Sequence, residues 1–84
     1  MTMIEKTITD WLVQFQIGEI IFIAEFIHPA EGQPGLVENE NKWRLQQEIW
    51  QSHKQGKPIK QRRWKRIGYF DSLEECREEL RKRD

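Results

Sequence analysis

The sequence predicts a single small α+β domain in which an antiparallel sheet carries two helices, in the order β-β-α-β-α. Three observations lead to this prediction: apolar residues dominate 11–27, helix-forming residues dominate 42–55, and a capped helix closes the chain. The 84 residues suffice for one domain, which we place at 1–84. Within it, residues 1–9 are expected to be frayed and residues 28–38 to form a loop.

The first two strands are predicted as a hairpin. Large apolar side chains alternate with mostly polar ones over residues 11–17, as in a half-buried strand. Gly18 and Glu19 interrupt the alternation and suit a tight turn, because glycine accepts positive φ. Residues 20–27 are apolar on both faces, as in a central strand. A helix over 10–27 is the alternative, but the density of β-branched and aromatic residues favours strands.

The stretch 41–55 is predicted to form the first helix. It is rich in good helix formers, Asn39 or Asn41 can cap its start, and Gly56 supplies a stop. A strand is the alternative, because three large apolar residues also fall on one side of an extended chain: Trp43, Leu45 and Ile49.

A strand over residues 60–70 and a second helix complete the predicted fold. Asp71 or Ser72 caps this helix, with Glu74 or Glu75 as the capping-box partner. Apolar residues recur at helical spacing and predict one face packed on the sheet: Leu73, Cys76 and Leu80.

The formal net charge is zero, but the charges are unevenly distributed. Residues 1–40 carry one cation against seven acids, which gives −6, so residues 41–84 carry +6. Six of these cations lie within 57–70, which holds no acid. Cations attract a polyanion backbone through counterion release, and aromatic faces can stack on bases. The residues predicted to bind nucleic acid are Lys57, Lys60, Arg62, Arg63, Trp64, Lys65 and Arg66.

Strand geometry divides this predicted site between two faces. Successive side chains of a strand point to opposite sides. Arg63, Lys65, Ile67 and Tyr69 are therefore expected on one face. The other face is expected to hold Arg62, Trp64, Arg66 and Phe70. Gly68 can mark a bulge.

Two other interpretations compete with nucleic-acid binding. A solvated edge strand also carries lysine and arginine, because they prevent edge-to-edge aggregation. A protein-interaction or adaptor module would dock an acidic partner on the same aromatic and basic surface, or form a homodimer through the apolar strands.

No pattern in the sequence predicts an enzyme. It holds no phosphate-cradling glycine loop, nucleophile elbow or paired-acid motif, so we expect no catalytic residue, cofactor or metal. Cys76 is expected to be a buried apolar residue of the last helix, and His28 and His53 have no third ligand at metal spacing. Without a signal-peptide pattern or a membrane-length apolar run, a cytoplasmic protein is expected.

Residues 64–76 place a basic-aromatic strand, a Gly-Tyr-Phe-Asp turn and a Glu-Glu-Cys helix start in that order. This segment, about a sixth of the chain, resembles the last strand and helix start of two DNA-binding families. They are the plant ethylene-response-factor domain and the arm-binding domain of tyrosine recombinases. The resemblance implies that the sheet enters the major groove.

Two stretches depart from these families, which have three consecutive strands before the helix. Residues 41–55 are predicted to be helical, and residues 20–27 are too apolar for a strand that faces DNA. The overall texture of the chain is also similar to that of small proteins of cyanobacterial genomes.

Overall fold

A computed structural model describes residues 2–54 and 57–84, and within them the side chains of 2–49 and 62–84. The described chain forms five strands and one helix. These are β1 (Met3–Thr9), β2 (Leu12–Ile17), β3 (Ile20–Phe26), β4 (Trp43–Lys54), β5 (Lys57–Phe70) and α1 (Leu73–Arg81). Each strand pairs antiparallel with its neighbours in sequence, in the order β1-β2-β3-β4-β5. The two edges of the sheet are therefore β1 and β5.

The β2–β3 hairpin confirms the prediction for residues 11–27. The two strands pair from Leu12↔Glu25 to Ile17↔Ile20, which leaves a two-residue turn. Gly18 occupies the first turn position with a φ of 61°, a left-handed conformation that glycine adopts without a steric penalty.

The prediction of two helices is wrong, because residues 43–54 form strand β4. β4 is hydrogen-bonded to β3 on one side and to β5 on the other. Pairing on both sides outweighs the weak helix preference of its residues, which amounts to less than about 1 kcal/mol per residue. Asn39 and Asn41 have φ values of 58° and 64°, so they form left-handed turns instead of the extended cap that starts a helix. The fold is thus mostly an antiparallel five-stranded sheet with one short C-terminal helix.

Residues 3–9 also differ from expectation, since they form β1 instead of a frayed end. β1 pairs with β2 from Met3↔Ile17 to Thr9↔Leu12. Its side chains are mostly exposed, so the strand shows none of the apolar alternation by which a buried strand is identified.

Helix α1 confirms the predicted capping of the last element. The Ser72 hydroxyl accepts a hydrogen bond from the Glu75 amide at 3.2 Å. The Glu75 carboxylate in turn accepts one from the Asp71 amide at 2.8 Å. Together they satisfy two amides at the helix start that would otherwise lack partners.

The core lies between α1 and one face of the sheet, which we call the helix face. Its buried members are Val13, Phe15, Ile17, Phe22, Ala24, Leu45, Cys76 and Leu80. Residues paired across strands share a face. One row of such pairs, Thr7–Val13–Ala24–Leu45–Gly68, crosses the helix face. The opposite side of the sheet is the open face, crossed by the row Lys6–Gln14–Ile23–Gln46–Arg66.

Candidate nucleic-acid interface

The basic stretch lies in β5, an edge strand of the sheet. β4 and β5 remain paired as far as Lys54↔Lys57, whereas the β3–β4 pairing reaches only Phe22↔Gln47. The β4–β5 hairpin therefore extends beyond the end of the β3–β4 pairing. Arg62 and Arg63 lie in this extension, whereas Lys65 and Arg66 lie opposite Gln47 and Gln46, which also pair with β3. The cations of both faces are nevertheless exposed, so neither set is covered by another element.

The alternation of β5 confirms the expected division of its cations. Arg62, Trp64 and Arg66 lie opposite residues of β4 that belong to the open face. Arg63 and Lys65 lie opposite Ile49 and Gln47, on the helix face. All four cations are exposed, and Trp64 is half-buried.

A bulge brings one further aromatic residue, Tyr69, into the open-face set. Gly68 pairs with Leu45 and Arg66 pairs with Gln46, so Ile67 is an extra residue in β5. One extra residue exchanges the faces of everything that follows it. The expectation that Tyr69 shares a face with Arg63 and Lys65 is therefore wrong.

Phe70 changes faces for the same reason. It pairs with Trp43 and packs against the core on the helix face, not beside Trp64. The glycine at position 68 is the feature of the sequence that indicated a bulge here.

Arg62 is already engaged with a carboxylate. Its Nε and one terminal nitrogen lie 3.0 and 2.9 Å from Glu48 Oε2. Glu48 is only 9% exposed, so Arg62 neutralises a buried charge. The Arg62 guanidinium carbon also lies 5.1 Å from the centre of the Trp64 ring, within cation–π range.

Arg66 makes a similar contact with Tyr69. Its guanidinium carbon lies 5.4 Å from the centre of the tyrosine ring, and one nitrogen donates to the hydroxyl at 3.2 Å. Among the side chains that the structure describes, no carboxylate forms an ion pair with Arg63, Lys65 or Arg66. Lys57 and Lys60 belong to β5 by their backbone, and their side chains lie outside the described residues.

Among the described side chains, ion pairs link the acidic first half of the chain to the basic second half at two places. The Arg77 guanidinium of α1 donates two hydrogen bonds, of 2.7 and 2.9 Å, to the Glu5 carboxylate of β1. Glu25 of β3 pairs with Arg44 of β4 on the open face. The two halves therefore neutralise each other in part, away from the cations of β5.

Other candidate groups take structural positions. Cys76 is fully buried, and burial raises the pKa of its thiol to about 12, so the thiolate that would react is scarce at neutral pH. Among the described residues, no group of three His, Cys, Asp or Glu side chains is placed to hold a metal ion. The described part of the chain also has no helix of a length and apolarity that would span a bilayer.

The most exposed tryptophan of known placement is Trp11, at 49%, where it contacts Phe26 and His28. Trp64 is half-buried, and the side chain of Trp50 lies outside the described residues.

No protein-family model, curated protein or solved structure matches this chain. The resemblance to two DNA-binding families therefore stays a prediction.

Proposed function

We propose that this protein binds nucleic acid through the basic edge strand β5. The observation that supports the proposal is the placement of four cations within five consecutive positions of an exposed strand: Arg62, Arg63, Lys65 and Arg66. Three of them have no carboxylate partner among the described side chains. A row of such cations suits a phosphate backbone, whose condensed counterions are released on contact.

The cations of the helix region favour this proposal over a merely solvated strand. Arg77, Arg81, Lys82 and Arg83 each pair with a carboxylate, at distances from 2.7 to 3.7 Å. The cations of this region are thus neutralised within the protein, whereas Arg63, Lys65 and Arg66 of β5 have no carboxylate partner among the described side chains. Charges left without an internal partner remain available to an external polyanion.

The proposal is tested by fluorescence anisotropy with labelled oligonucleotides, over a range of salt concentrations. The test variant is Arg63→Gln/Lys65→Gln/Arg66→Gln, which keeps the Arg62–Glu48 pair. The matched control is Arg81→Gln/Lys82→Gln/Arg83→Gln, which removes the same charge from the helix region.

We expect wild type and control to bind alike, with affinity falling steeply as salt rises. In the test variant, binding should weaken by about tenfold or more and the salt slope should shrink by about 2–3, since three phosphate contacts are lost. Failure of wild type to bind at low salt, or equal loss in both variants, would overturn the proposal. Preference for labelled polyglutamate over every oligonucleotide would favour an acidic protein partner instead.

A further inference from the structure

We infer that the nucleic acid bound at β5 is single-stranded, and that it lies along the open face with bases stacked at two sites. This inference rests on the proposed function and specifies its ligand. The two sites are the pairs Arg62–Trp64 and Arg66–Tyr69, which follow one another along the strand. In each pair a guanidinium is held over an aromatic ring, at 5.1 and 5.4 Å from its centre.

The flat guanidinium and aromatic groups of these pairs are surfaces on which an unpaired base can stack. A base in a duplex has both faces covered by its neighbours, whereas a base in a single strand offers a free face. Single-strand binders hold such bases on aromatic rings and on guanidinium planes, beside cations that track the backbone. Each of the two pairs provides both kinds of surface.

The open face is accessible to a chain of nucleotides. Helix α1 packs on the opposite side, against the core. The open-face row that contains Arg66 holds Lys6 at its other end and no acid between them. The acids placed beside that row, Glu25 and Glu48, each form an ion pair with an arginine. A strand lying on this face would meet little uncompensated negative charge.

The helix face of β5 lacks the stacking surfaces. Arg63 and Lys65 lie opposite Ile49 and Gln47. The described aromatic residues on that side of the β4–β5 pair, Trp43 and Phe70, pack against the core. Arg63 and Lys65 can therefore contact phosphates, but base stacking is confined to the open face.

The spacing of the two sites indicates separate bases. Because Ile67 is an extra residue, Trp64 and Tyr69 lie opposite Glu48 and Arg44, four positions apart on β4 and about 13 Å along the strand. The centres of two stacked rings lie about 5 Å apart, so no single base can stack on both. The sites therefore fix two positions of one strand.

The inference is tested on the wild-type protein with three labelled probes of equal length, about 12 nucleotides, which is within the range that small single-strand sites cover. The probes are an oligothymidylate, an abasic strand with the same backbone, and a duplex. We expect the oligothymidylate to bind about fivefold or more tightly than the abasic strand, because stacking contributes at each site. It should also bind more tightly than the duplex.

A pair of variants assigns that difference to the open face. Trp64→Leu/Tyr69→Leu removes both rings and should bind the oligothymidylate and the abasic strand equally. The control Trp11→Leu removes an exposed indole elsewhere and should keep the difference. Circular dichroism checks that both variants are folded, and the wild-type comparison does not depend on them.

Each contrary outcome has its own meaning. Equal binding of the oligothymidylate and the abasic strand, tighter binding of the duplex, or an unchanged difference in the double variant would overturn the inference. If one of these outcomes is seen and the triple variant Arg63→Gln/Lys65→Gln/Arg66→Gln nevertheless loses binding to the probes, only this inference fails and the proposed function stands. If no probe binds, both fall.

Discussion

The helix region and strand β5 contain the same kinds of cation in comparable number, yet use them differently. In residues 77–83, all four cations have carboxylate partners. In residues 62–66, only Arg62 has one among the described side chains. The helix places acids and bases three or four residues apart on the same side, where they can meet. A strand places sequence neighbours on opposite faces, and β5 holds no acid to pair with. Local geometry thus decides whether a charge is neutralised internally or left for a partner.

The largest expected effect is a loss of stability when a buried residue of helix α1 is truncated. Leu80 of α1 is fully buried in the core, so Leu80→Ala should lower the free energy of unfolding by about 2–5 kcal/mol. Arg66→Gln on β5 should change it by no more than about 0.5 kcal/mol. Urea unfolding measures both. Similar losses in the two variants would contradict the view that Arg66, which has no carboxylate partner among the described side chains, contributes little to stability.

A smaller effect should separate Arg62 from the other cations of β5. Arg62→Gln leaves the Glu48 carboxylate buried without its partner, which should cost about 1–2 kcal/mol, less than for a fully buried pair because Arg62 is 54% exposed. Arg63→Gln leaves no buried charge and should be nearly neutral. Chemical denaturation of the two single variants makes the comparison. If Arg62→Gln is as stable as Arg63→Gln, the structural role given to Arg62 is wrong.

The smallest expected effect concerns the ion pair that joins α1 to β1. The hydrogen bond from Arg77 holds the pKa of Glu5 below its ordinary value of 4.5. A lowered folded-state pKa contributes stability above the unfolded-state value, and this contribution is lost as the pH falls through the lowered one. Glu5→Gln should remove about 1 kcal/mol or less at pH 6.

This difference between wild type and Glu5→Gln should shrink toward zero well below pH 4.5. Urea unfolding at neutral and at acidic pH shows the change. Lys6→Gln is the control, because Lys6 is a neighbour on β1 that lies on the open face. A difference that grows on acidification would contradict the assignment.

The sequence predicts those parts of the fold whose signals are local. The alternation in residues 11–17, the glycine turn and the capping of α1 by Ser72 all rest on neighbouring residues, and the structure confirms them. β4 could not be separated from a helix in this way. Its residues favour a helix weakly, and its pairing with β3 and β5 depends on residues far away in sequence.

At the candidate site, too, local sequence signals predict only part of the arrangement. Strand alternation predicts which of Arg62, Arg63 and Lys65 share a face. The position of Tyr69 depends on one extra residue at Ile67, which alternation alone does not reveal. Gly68 signals a bulge without fixing the residue at which the register shifts. Since Tyr69 completes the second stacking site, that site could be recognised only from the register.

The most direct test of the central claim is a two-dimensional NMR titration of ¹⁵N-labelled protein with a single-stranded oligonucleotide. Binding at β5 predicts shifts of the Trp64 indole N–H and of the amides from Arg62 to Tyr69. The Trp11 indole and the amides of α1 should stay in place. Shifts centred on α1, or none at oligonucleotide concentrations where anisotropy reports binding, would contradict the account.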